Sequence, residues 1–186
     1  MKLTKTRLKQ IIREEIQMLN ESRTIADLLA PGDLIVHSKG LTSLEGAPKT
    51  IKGKFDCDNN ELTSLKYGPT EVGGDFNCDG NKLKSLKGSP VSVGDWFSCE
   101  YNKLQSLKGG PTKVGSWFGC NNNELTSLEG APTSISGNFE CNNNKLTSLK
   151  GAPKSVKGDF DCGNNPGKFT EEDVRKVCKV GGKIYV

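Results

Sequence analysis

LTSLEGAPTSISGNFECNNNK (125–145) runs without a gap into LTSLKGAPKSVKGDFDCGNNP (146–166), and the same 21-residue step reaches back through 104–124, 83–103, 62–82 and 41–61. The six units share the pattern LxSLxxxPxx[VI]xxxFxCxxNx. No unit holds enough apolar residues to fold alone, so neighbours must stack and bury a shared interior. The pattern therefore predicts a repeat solenoid over residues 41–166.

Each repeated position carries a physical expectation. Phe55, Phe76, Phe97, Phe118, Phe139 and Phe160 are followed two residues later by Cys57, Cys78, Cys99, Cys120, Cys141 and Cys162. That is the period of a strand with one buried face, and stacked copies predict a parallel sheet. The Asn residues from Asn60 to Asn165 are expected to form a ladder whose amides bond the turn backbone. The Ser residues from Ser43 to Ser148 are expected to do the same on the return path. The prolines from Pro48 to Pro153 predict an irregular or extended back segment that needs no ladder donor.

The spacing FxCxxNxLxSL resembles that of the leucine-rich-repeat family. The LxSLxxxP half is similar to short repeats of bacterial effectors, and the GxFxCxxN half to bacterial and bacteriophage repeat proteins. The resemblance spans residues 34–165 and implies a parallel sheet on a concave face. This sequence departs from the usual pattern in its 21-residue length and in placing Cys where an aliphatic residue is common.

The flanks read differently. Residues 23–40 form an N-terminal cap with a partial repeat, in which Leu34 and Val36 take the Phe and Cys positions. Residues 167–186 form a C-terminal cap, with Thr170 opening a short helix through about Cys178 and Lys183–Val186 as a last strand. In residues 1–22, Leu8, Ile11, Ile12, Ile16 and Leu19 fall on one face of a basic amphipathic helix, placed outside the solenoid and available for packing or self-association. This leader resembles those of tailed-bacteriophage proteins, and Leu19-Asn20-Glu21 fits the [LI]xE pattern cut by prohead proteases. The resemblance implies a capsid-packaged virion protein processed after Glu21.

Composition narrows the function. With 33% hydrophobic and 6% aromatic residues, the core must be thin and repetitive. No apolar run is long enough to cross a membrane, and the first twenty residues lack the pattern of a secretory signal, so an intracellular location is expected. Six of seven cysteines sit in one row pointing one way, which suits small buried hydrophobes better than metal ligands or disulfides. Cys178 lies outside the row and is read as partly exposed. The single histidine, His37, lies in the cap and supplies no catalytic partner. Calcium-loop spacing, phosphate-binding loops and catalytic triads are absent from the pattern, so no metal, cofactor or enzymatic activity is expected.

What remains is a surface. The outward positions read Lys54-Asp56-Asp58, Asp75-Asn77-Asp79, Trp96-Ser98-Glu100, Trp117-Gly119-Asn121, Asn138-Glu140-Asn142 and Asp159-Asp161-Gly163. Eight of these are acidic and one is basic, although the chain carries a net charge of +4. Lysines such as Lys66, Lys82, Lys87, Lys103, Lys108 and Lys113 fall on the turns and back instead. Both tryptophans of the chain take the same position in adjacent repeats. An acidic, Trp-centred face predicts a basic peptide or protein surface as partner. The alternative reading of the tryptophans is that they cover the widened Asp95 and Ser116 positions, where other repeats have Gly. The back lysines lack interleaved aromatics, which argues against nucleic acid.

Overall fold

The structure, a computed structural model, describes residues 5–18 and 32–186. Leu19, Glu21 and the segment 24–31 lie outside the described residues. Residues 34–186 form a parallel β-solenoid of stacked coils with 21-residue spacing. Its main sheet has eight strands: β1 (Leu34–Ile35), β3 (Phe55–Asp56), β5 (Phe76–Asn77), β7 (Phe97–Ser98), β9 (Phe118–Gly119), β11 (Phe139–Glu140), β13 (Phe160–Asp161) and β15 (Ile184–Tyr185). All pair in parallel, and each repeat stands in register with the next, Phe opposite Phe.

Register puts like on like through the interior. The six phenylalanines are buried to 1% exposure or less and form a column with ring centroids 5.0–5.7 Å apart. The cysteines line a parallel column, fully buried and unpaired. Cys57, Cys78, Cys99 and Cys120 donate S–H to a carbonyl on the following coil at 3.2–3.4 Å. Cysteine at this position thus adds a weak inter-coil bond that an aliphatic side chain could not make. Burial pushes the Cys57 to Cys141 thiols well above their usual range, and Cys162 to about 12.

The asparagines tie each coil to the one before. Asn81 Oδ1 accepts from Leu62 N at 3.0 Å, while its Nδ2 donates to Cys57 O, Cys78 O and Asp79 O at 3.0–3.1 Å. Asn102, Asn123, Asn144 and Asn165 repeat the arrangement. One side chain therefore satisfies backbone groups that would otherwise be buried without partners. On the return path, Ser43, Ser64, Ser85 and Ser127 each accept from the backbone N–H two residues on at 3.1 Å.

The back is not irregular, contrary to the expectation from its prolines. β2 (Thr50–Ile51), β4 (Glu71–Val72), β6 (Ser92–Val93) and β8 (Lys113–Val114) form one parallel ladder. β10 (Ser134–Ile135), β12 (Ser155–Val156) and β14 (Lys179–Val180) form another. Each proline sits three residues ahead of the buried Val or Ile, upstream of the ladder, so its missing N–H costs nothing there.

Two helices flank the repeats in the chain. α1 (Lys5–Met18) is not separate from the array: Ile11 and Ile12 are buried in the same apolar cluster as the repeats, and the Lys9 stem lies against Gly46. α2 (Glu171–Val177) starts at Thr170 through a capping box with Asp173 and buries Val174. It follows residues 167–170, where the LxSL segment would recur, and the last coil is longer by three residues, Lys183 N reaching Asp159 Oδ1 across 24 positions. Cys178, which the sequence suggested was partly exposed, is 2% exposed, and burial pushes its thiol up to about 11.

Candidate functional site

The outward side chains of the main sheet form three rows running along the solenoid. At about 4.8 Å per strand, the span from Asp56 to Asp161 is about 24 Å, so these residues make a surface and not a single pocket.

The row preceding each strand was expected to be part of the binding face, but half of its six residues, and Asp33 ahead of them, have a structural task. Asp33 Oδ1 accepts Lys54 N at 2.8 Å, Asp75 Oδ1 accepts Trp96 N at 3.5 Å, Asn138 Oδ1 accepts Asp159 N at 2.9 Å and Asp159 Oδ1 accepts Lys183 N at 2.7 Å. An Asp or Asn here fastens the next coil. Trp96 and Trp117 occupy this row in the two middle coils and cannot accept such a bond. Two inter-coil links are given up where the indoles stand.

The indoles meet edge to face, with centroids 5.8 Å apart and an interplanar angle of 63°. Both are half-buried. Trp117 folds down over Gly119, where a Cβ would collide with Cζ2 and Cη2 of the indole and crowd Glu100 Oε1. Glycine at this position is thus a requirement of the Trp117 pose. Trp117 covers the strand glycine of its own coil. Its Nε1 is buried without a hydrogen-bond partner.

The carboxylates lie in the other two rows. Asp79 Oδ1 accepts both Ser98 Oγ and Glu100 N at 2.6 Å. Asn121 Nδ2 bridges Glu100 Oε1 at 3.2 Å and Glu140 Oε2 at 3.1 Å. Asp161 Oδ1 accepts Gly163 N at 2.9 Å, and Asp56 Oδ1 accepts Asp58 N at 3.2 Å. His37 Nδ1 stands 3.7 Å from Asp58 Oδ1. Asp56 points outward yet is only 8% exposed, with the Lys54 ammonium 3.0 Å away.

Electrostatically this face differs from the rest of the molecule. Burial raises Asp58, Asp75, Asp79 and Asp161 above the usual carboxylate range. Burial, with Asp79 and Glu140 nearby, carries Glu100 to about 7. On the turn rows the opposite holds: Lys108 and Lys150 bracket Glu129 and hold it down to about 2. The sheet face is an acidic surface short of cations.

Several participants were not singled out from sequence. Lys54 spans two coils, pairing with Asp56 and setting its ammonium 5.5 Å from the Trp96 ring centroid; its being the one basic residue among the outward positions was the available signal. Ser98 and Asn121 organise the carboxylates, which sequence alone does not announce. Tyr101 is 63% exposed at φ 51°, where the equivalent residues of other repeats are Asn or Gly. A tyrosine in the left-handed region is unusual enough to mark the same middle coil.

Among the described residues, no group of three or more His, Cys, Asp or Glu is placed to hold a metal ion, and no helix is long and apolar enough to cross a membrane. No family model, curated protein or solved structure matches this chain.

Proposed function

We propose that the coils are leucine-rich repeats and that the array is a non-enzymatic binding module, whose acidic Trp-centred face takes a basic segment of another protein. The observation that carries this reading is the exchange in the middle coils. Two positions of a row whose Asp and Asn members hold an inter-coil link are occupied by adjacent half-buried tryptophans, beside carboxylates raised by burial and mutual repulsion. Indoles among unneutralised carboxylates favour a cationic, partly apolar ligand, which would supply the missing charge and cover the rings. The competing assignment, a packaged bacteriophage virion component cut after Glu21, rests on the resemblance of the leader helix and on Leu19-Asn20-Glu21, of which the cleavage motif lies outside the described residues. The test is affinity capture from candidate host lysate with the intact chain and with Trp96→Ala/Trp117→Ala, checked for folding. A basic protein released by salt and retained only by the intact chain is expected; equal recovery by both would remove the face from the account.

A further inference from the structure

The carboxylates of the face share a feature that bears on which basic side chain they take. Asp79, Glu100, Glu140 and Asp161 each have one oxygen already held by the protein itself, and Asp56 has both, Oδ1 by Asp58 N and Oδ2 by the Lys54 ammonium. The first four keep one fully open oxygen for a partner, and Asp56 does so once Lys54 leaves. A guanidinium gains its advantage over an ammonium by gripping both oxygens of a carboxylate in a planar fork. Carboxylates with one oxygen engaged reduce that advantage, because one arm of the fork must share an oxygen that already accepts a bond. A compact ammonium with three rotatable donors loses nothing by meeting them one oxygen at a time.

The chain supplies its own example of the pose. Lys54 precedes β3, and its side chain runs along the array to Trp96, which precedes β7, two strands on and about 10 Å away. Its Nζ is 3.0 Å from Asp56 Oδ2 and 5.5 Å from the Trp96 ring centroid. An alkyl stem laid along the coil axis, with an ammonium between a carboxylate and an indole, is therefore a fit that this surface already makes. A second observation points to a missing donor further along the face. Asn121 is 7% exposed and lies between Glu100 and Glu140, yet its Oδ1 has no hydrogen-bond partner.

We infer that the face is selective for primary ammonium groups, presented by lysine side chains of the partner in preference to arginine, and that Lys54 occupies the Trp96 position until a partner lysine displaces it. This inference rests on the binding reading above and adds to it the chemical class of the ligand and an internal competitor.

The test uses fluorescein-labelled hexalysine and hexaarginine, with binding to the full chain followed by anisotropy at one fixed salt concentration. Hexalysine is expected to bind at least as tightly as hexaarginine, against the usual order for carboxylates and indoles. Lys54→Met, which keeps most of the stem and removes the charge, is expected to tighten hexalysine binding about threefold to fivefold, the scale of one exposed cation–π contact. That gain should vanish in a Trp96→Ala background, whereas a general loss of positive charge would act in both backgrounds. Tighter binding of hexaarginine, or a Lys54→Met gain that survives Trp96→Ala, overturns the inference while leaving the binding face standing. Equal binding of both peptides by the intact chain and by Trp96→Ala/Trp117→Ala, or binding by neither the intact chain nor Lys54→Met, overturns the face and the inference together. Thermal melts of each variant establish that it is folded.

Discussion

The middle coils, built on β7 and β9, and the coils on either side of them have the same interior and different exteriors. Phe97 and Phe118 have ring centroids 5.0 Å apart and Phe139 and Phe160 5.2 Å, and Asn102 and Asn144 bind the equivalent backbone groups of their coils. Outside, Asp75, Asn138 and Asp159 fasten one coil to the next, while Trp96 and Trp117 do not. A uniform interior leaves each coil free to change its outward residues without disturbing its neighbours' packing. Specialisation can therefore be confined to two repeats, at the cost of the links those repeats give up.

The largest expected effect tests the uniform half of this comparison. Phe97→Ala and Phe139→Ala should each cost about 3–5 kcal/mol in urea denaturation, because each opens a cavity in the same column. A difference of more than about 2 kcal/mol between them would show that middle and outer coils are not equivalent inside.

A smaller effect sharpens the other half. Trp117→Asn places at the middle coil the side chain that fastens the outer ones, with Asn138 N as the expected donor. It should raise stability by about 0.5–1.5 kcal/mol, the net worth of one such hydrogen bond, and abolish binding of a basic partner. Loss of stability would mean that the Trp117 packing over Gly119 outweighs the link.

The smallest effect is a dependence on pH. Glu100 has an ordinary value of 4.5 and stands at about 7 in the folded chain. The folded state therefore binds more protons than the unfolded one between these values, and stability falls as pH rises through that window. Because Glu100 is only partly buried, screening reduces the effect to about 1 kcal/mol. Unfolding free energies from urea denaturation at pH 5 and pH 8 should differ by that much more in the native chain than in Glu100→Gln, where the contribution is absent. A larger difference in the variant would mean that Glu100 is stabilised as the anion.

The sequence made the stacked strands legible because a 21-residue period with Phe and Cys two apart admits few arrangements. The Asn ladder followed, since a buried amide repeated at a turn must answer backbone groups. The back ladders were hidden because each strand is two residues long, too short for alternation to show, and because Pro48 and its equivalents suggest extended chain without saying whether neighbours pair. The apolar stripe of α1 was visible, but Ile11 and Ile12 carry no mark of which surface they meet. On the face, Trp96 and Trp117 stood out by rarity. The task of Asp75 and Asp159 did not, because a carboxylate that fastens a backbone N–H reads the same as one that awaits a ligand. The reach of Lys54 across two coils is a matter of side-chain direction, which repeat spacing leaves open.

The column of thiols gives the molecule a record of its own opening. Each of the six repeats carries one cysteine in the column, inert while the coil is shut and alkylated once it parts from its neighbours. Brief exposure to iodoacetamide, followed by peptide mapping, would date the opening of each coil separately. The order in which Cys57 to Cys162 become labelled would tell whether the solenoid frays from its ends or gives way first at the two coils that traded their links for indoles.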